Sequence, residues 1–210
     1  MSTIRTSLKP RKAAVQARST ATVEALHTAT LQVLTQQGLI RCTTTRVAER
    51  AGMSVGSLYQ YYPNRDALLA AILEKHLLEV AESVELACSE LLGKPVAAMA
   101  SGLVVAFFAV KLRDPAGSKA LYAIAAERGG AELVRRITTR MVAAIAAMLK
   151  SATDAHFDDP VVTAAISLSA VSGPVRALLE GHTPPGFEKG LEQQIVALLR
   201  AYLQTYQKPA

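Results

Sequence analysis

Tryptophan is absent from this chain, and cysteine occurs only twice in 210 residues. Cys42 and Cys88 match no metal-ligand spacing and are too few for a disulfide framework, so a reduced, cytoplasmic compartment is expected. The four histidines, His27, His76, His156 and His182, form no HExxH pattern. Neither a nucleophile elbow nor a phosphate-cradling glycine loop occurs. The chain is therefore expected to be no enzyme and to need no metal or cofactor. Convincing apolar–polar alternation and long β-branched runs are also missing, which argues against a β architecture. The uninterrupted apolar run Leu103 to Val110 is too short to cross a bilayer. No apolar segment follows the basic N-terminus, so neither a signal peptide nor a membrane partner is expected.

Half of the residues are hydrophobic, enough at this length to bury a substantial core. Ala and Leu dominate them, which favours helices. Charge is unevenly placed. Residues 1 to 75 carry ten Lys or Arg against four Asp or Glu, which accounts for the whole net charge of +6, whereas residues 76 to 210 carry thirteen of each. A basic end on an otherwise neutral chain selects a polyanion. An anionic membrane is less suitable, since the basic segment lacks an amphipathic face rich in Trp or Phe. The first eighteen residues, with Arg5, Lys9, Arg11, Lys12 and Arg18 and no acid, read as a flexible basic arm.

The stretch Thr43 to Leu69, TTTRVAERAGMSVGSLYQYYPNRDALL, organises the rest. Thr44 can cap a helix whose inner face is Val47, Ala48 and Ala51. Gly52 can end it in a left-handed conformation, and Ser54 can cap a second helix, Val55 to about Tyr61. Pro63 and Asn64 stop that helix and open a third. Two short helices joined by a glycine-containing turn form a helix-turn-helix, whose second helix enters the DNA major groove. With Leu58 and Tyr62 turned inward, Ser57, Tyr59, Gln60 and Tyr61 remain outside. Hydroxyls suit phosphates, and glutamine suits adenine edges.

Flanking segments extend the helical pattern to about nine helices. Helix 1 runs from Ser19 or Thr20 to Gln37, and helix 4 from Asn64 or Arg65 to near Gly93. Helix 5, Pro95 to Arg113, is apolar nearly all round and is expected to be buried. Helices 6 and 7 cover about 118–127 and 131–151. Asp159 followed by Pro160 opens helix 8, which is lined with small residues including Ala165 and Ala170 and runs to about His182. Helix 9, Phe187 to Gln207, offers Leu191, Ile195, Leu198 and Tyr202 on one stripe. One short recognition helix reads too little DNA, so helices 8 and 9 are expected to form a homodimer on a palindromic operator. Met99, Phe107, Phe108, Tyr122, Met141 and Met148 are candidates for lining an apolar ligand pocket, since Met and aromatic side chains adapt to varied apolar ligands.

Thr44, Val47, Ala48, Ala51, Gly52, Ser54, Gly56, Leu58, Tyr59, Tyr61, Tyr62, Arg65 and Leu68 together resemble the DNA-binding signature of the tetracycline-repressor (TetR) family of bacterial transcription regulators. Members usually carry Ile, Phe and Lys where Val47, Tyr62 and Arg65 stand. The likeness spans roughly residues 20 to 70. It implies an all-α fold with a DNA-binding domain over 19–66 and an effector-binding and dimerisation domain over 67–210. It implies DNA contacts from Thr44, Thr45, Arg46, Ser54, Val55, Gly56, Ser57, Tyr59, Gln60, Tyr61 and Arg65, and a double-stranded operator, a small-molecule effector and a second copy of the chain as partners. The rival readings are a ligand-independent or architectural DNA-binding protein and a helical enzyme.

Overall fold

A computed structural model describes residues 17–126 and 129–207. The expected basic arm falls on residues 1–16, which lie outside the described residues, as does the side chain of Arg18. The described residues form nine α-helices: α1 Ala17–Gln37, α2 Thr44–Arg50, α3 Val55–Tyr61, α4 Arg65–Glu90, α5 Val96–Lys111, α6 Pro115–Ala125, α7 Gly130–Lys150, α8 Pro160–Glu180 and α9 Leu191–Gln204. No strand occurs among them, and the all-α expectation is met.

The chain divides into two compact units, Met1–His76 with Ala120–Leu133, and Leu77–Lys119 with Val134–Ala210. The boundary therefore lies ten residues beyond the expected end at residue 66, because the first three turns of α4 belong to the head. Leu68, Leu69, Ile72 and Leu73 of those turns are buried in the same unit as Leu26, Val33 and Leu34 of α1 and Val47, Ala48 and Leu58 of α2 and α3. Each of the Val, Leu and Ile side chains among them contributes roughly 1.5–3 kcal/mol on burial. At the surface of this unit Lys75 pairs with Glu24 at 2.5 Å.

In the second unit α5 packs against α8 and α9, and those two pack on each other. Ten residues of α5 are buried, including Met99, Leu103, Val104, Phe107 and Phe108. Val105 remains exposed, so the helix is apolar all round without being covered all round. Arg113 reaches Glu79 at 2.5 Å, and Arg140 donates from Nε and Nη2 to the two carboxylate oxygens of Glu85, tying this part of α4 to the end of α5 and to α7. Lys111 is 5% exposed, and burial pushes its amine down to about 8. It stands in the last turn of α5, where the negative end of the helix dipole suits a cation.

Two ends follow from local chemistry. Asp159 accepts from Val161 and Val162 and caps α8 ahead of Pro160, as its sequence requires. Asn64 caps α4 by accepting from Ala67 at 2.8 Å. The remaining boundaries move by a few residues. Helix α6 starts at Pro115, helped by Asp114 accepting from the Gly117 amide at 3.0 Å. The largest difference is α9, which begins at Leu191 and not at Phe187, because Gly190 adopts a left-handed φ of 72° and breaks the chain there.

Candidate nucleic-acid interface

The cap of α2 is Thr43, one residue before the expected Thr44: its side chain accepts from the Arg46 amide. At the other end Gly52 has a φ of 67°, and the Met53 amide reaches back to the Ala48 carbonyl at 2.9 Å. That six-to-one closure satisfies an orphan carbonyl and turns the chain into α3. Ser54 caps α3 by accepting from the Ser57 amide at 3.0 Å. Leu58 and Tyr62 are buried, as the sequence pattern demands, which leaves Gly56, Tyr59 and Gln60 exposed with Val55, Ser57 and Tyr61 half-buried beside them.

Most of the expected contact residues are brought to one surface. The Thr44 and Tyr59 hydroxyls lie 3.2 Å apart and join the start of α2 to the outer face of α3. The Ser54 and Ser57 hydroxyls lie 2.9 Å apart. Thr45, next to Thr44, is exposed. Gly56 is not required by the backbone, since an added Cβ would meet only Ser54 Oγ at an ordinary 3.7 Å. Its bare surface leaves room for a close approach from outside.

Two expected phosphate contacts are placed differently. Arg65 donates from Nε to the Cys42 carbonyl at 2.6 Å and from Nη2 to the Leu39 carbonyl at 2.7 Å, with Asp66 3.6 Å from its third nitrogen. The planar fork of an arginine suits such a two-carbonyl grip, which the lysine usual at this position in the family would not reproduce. Arg46 donates from Nη1 to the Arg41 carbonyl at 3.0 Å. Both guanidiniums therefore hold the turn between α1 and α2. Arg50 bonds back to Gln32 of α1 at 2.7 Å.

One residue that sequence reasoning passed over is His27. Its Nε2 lies 2.7 Å from the Tyr62 hydroxyl, at the end of α3, and the ring is buried. Its other nitrogen is buried without a partner among the described residues. Burial, and then the Lys75 charge, hold its pKa below the usual histidine value. The only signal in the sequence is a histidine directly after a buried Leu26, which no motif distinguishes.

In the second unit the expected sites are only partly assembled. Met99, Phe107, Phe108, Met141 and Met148 are buried, whereas Tyr122 is half-buried and belongs to the unit of the head. None of the six lines the apolar cleft of about 440 Å³, which is formed by Leu112, Pro115, Ala116, Lys119, Leu178 and Leu179. Met99, Phe107, Phe108, Met141 and Met148 are part of the buried core. Leu191 and Ile195, expected on an interface, are also buried in the chain's own core together with Leu199 and Leu203. Leu198 is 55% exposed, Ala165 and Ala170 are half-covered, and Tyr202 is half-buried with its ring edge-on to Tyr206. Ile166 (46% exposed) and Val162 extend the uncovered face of α8. By length and composition α8 is apolar enough to cross a membrane, with a mean hydropathy of 1.5 and a third of its apolar window buried.

Comparison with known proteins accounts for both units. Residues 95–203 match the family described as tetracyclin repressor-like, C-terminal domain, and residues 26–72 match the bacterial regulatory proteins of the tetR family. A putative TetR-family transcriptional regulator from Mesorhizobium loti MAFF303099 superposes with a TM-score of 0.73 at 18% identity, covering 92% of this chain and 100% of its own. SmeT, the repressor of the Stenotrophomonas maltophilia multidrug efflux pump SmeDEF, gives 0.68 at 18% identity over 90% of this chain and 91% of its own. At those identities the likeness is one of fold. The nucleoid occlusion factor SlmA of Haemophilus ducreyi is 40% identical over 40 residues, 19% of this chain and 20% of that protein's length.

Proposed function

This chain belongs to the tetracycline-repressor family of DNA-binding transcriptional regulators, and on that premise we propose that it acts as a homodimeric repressor released from its operator by a small molecule. The observation that carries the reading is the exposed polar face of α3, with Gln60 and Tyr59 on it, within the first 75 residues, which hold the chain's whole net charge of +6. Gln60 and Ser57, with Thr45, read base edges; Tyr59, Tyr61 and the basic arm hold phosphates. The repressor named among the structural relatives supports the sense of regulation.

The dimer forms through the uncovered faces of α8 and α9. Val162, Ile166 and Gly173 on α8 and Leu198 and Ala201 on α9 are exposed, and the two helices are neighbours. Small and apolar side chains let two such faces meet closely. Lipid is a poorer partner for this face, since Ser169 and Arg176 share it. The effector binds in the second unit, where methionines at 99, 141 and 148 can yield to a ligand. Helix α4 contributes residues to both units, so a shift within the second unit reaches the head through a continuous helix.

The reading is tested by selecting operator sequences from random duplexes and titrating the winner against effector candidates. Gln60→Ala should relax preference at one or two positions, by about 1–3 kcal/mol there. Coupling is reciprocal, so a true effector must bind more weakly to the operator complex, by the factor with which it weakens operator binding. A pool with no enriched sequence would sink the proposal.

A further inference from the structure

The turn between α1 and α2 is built more firmly than a connection needs. Over four residues, Leu39 to Cys42, three carbonyls are held by guanidiniums from elsewhere in the head. Arg65 of α4 takes those of Leu39 and Cys42, and Arg46 of α2 takes that of Arg41. The turn closes on itself as well, with the Cys42 amide on the Leu39 carbonyl at 3.2 Å and the Thr43 amide on the Arg41 carbonyl at 3.0 Å. Cys42 is buried and anchors the far side. Two side chains are left to point outward. Ile40 is 96% exposed, the most exposed large apolar side chain described, and the Arg41 side chain is exposed with no hydrogen bond or ion pair among the described residues.

A single exposed isoleucine is ordinary. An isoleucine beside an uncommitted cation, on a turn held rigid by two arginines, is less so. The turn leads directly into Thr43 and Thr44, and Thr44 meets Tyr59 on the outer face of α3. It therefore lies next to the start of the surface that reads DNA. Ion pairing elsewhere in the head, such as Lys75 with Glu24, removes cations from service, whereas Arg41 keeps its charge available.

We infer that the Leu39–Cys42 turn is a DNA-backbone contact: the Arg41 guanidinium neutralises a phosphate and Ile40 packs on the adjoining deoxyribose, with Arg65 and Arg46 as the residues that position them. This rests on the DNA-binding reading above and redistributes its roles. The two arginines expected on phosphates organise the turn, and the contact passes to a residue no motif marks. A phosphate contact of this kind sets register and affinity without reading sequence.

The experiment measures the salt dependence of binding to a fluorescent mixed-sequence duplex, using the full chain. Each phosphate contact removed makes the log–log slope shallower by about 0.9 per bound protomer. Arg41→Gln should produce that change with an unaltered melting midpoint, and Ile40→Ser should weaken binding several-fold at an unchanged slope. Arg65→Gln should weaken binding in the wild-type background but add little to Arg41→Gln, since it acts through the turn. A wild-type slope retained in Arg41→Gln overturns the inference and leaves the DNA-binding reading intact. Failure of the wild-type chain to bind any duplex overturns that reading first, and this inference with it.

Discussion

The outer face of α3 and the outer face of α8 are both uncovered, yet they differ in every respect that governs a partner. Helix α3 shows Gly56, Tyr59 and Gln60 beside serine and threonine hydroxyls. Helix α8 shows Val161, Val162 and Ile166, and α9 beside it adds Leu198. A polar face in water is already solvated, so it gains only from a partner with matching donors, acceptors and charge. An apolar face gains from any dry, complementary surface, roughly in proportion to the area removed from water. Exposure alone therefore distinguishes neither site. Its chemistry is the ground for proposing DNA as the partner of one and a second copy of the chain as the partner of the other.

The strongest way to break this comparison is to make the second face resemble the first. Ile166→Glu or Leu198→Glu would place an uncompensated charge in a dry contact, at about 3–5 kcal/mol per buried unpaired charge. The chain should become monomeric by sedimentation, its folded monomer intact, and operator affinity should fall roughly a hundredfold or more. An undiminished dimer carrying either charge would remove α8 and α9 from the interface.

Arg65 sharpens the comparison within the head. Its two carbonyl bonds are charge-assisted, and its side chain is 31% exposed. Arg65→Ala should lower the stability of the head by about 2 kcal/mol, read as a lower urea midpoint. A residue that only touched phosphates would leave that midpoint unchanged and lower DNA affinity alone.

A buried cation provides the matching probe of the second unit. The Lys111 amine sits at about 8 in the folded chain against 10.5 for an unperturbed lysine. Between those pH values the unfolded chain holds the extra proton, so stability rises as pH rises from 8 to 10.5. Lys111→Met should remove that slope and stabilise the protein at pH 7 by roughly 2 kcal/mol. A flat pH profile of the wild type across that window would contradict this account.

The smallest effect concerns His27. Its folded pKa lies below the unfolded value of 6.5, mainly through burial. In the window beneath 6.5 the unfolded chain binds more protons, so the histidine's contribution to stability is present at neutral pH and fades as pH falls. Tyr62→Phe deletes the partner of Nε2 and should cost about 1 kcal/mol at pH 7.5, measured by denaturant titration. The difference between wild type and variant should shrink as pH falls below the folded pKa of His27, where protonation disturbs the pair.

What could be read in the sequence was whatever depends on neighbours a few positions away. Ser54 caps α3, Asn64 caps α4 and Asp159 with Pro160 opens α8, because a capping oxygen reaches amides two or three residues on. The helix-turn-helix, the buried Leu58 and Tyr62 and the all-α class follow from the same local rules and from helical periodicity. The tertiary structure decided the direction of long side chains and the phase of ambiguous stripes. Arg65 binds carbonyls 23 and 26 residues upstream, a pairing that no local pattern encodes. In α9 a step of three leads from Ile195 to Leu198 and Tyr202, and a step of four to Leu199 and Leu203. Both steps fit a helix of 3.6 residues per turn, and only packing against α5 buries the second set and leaves Leu198 outside.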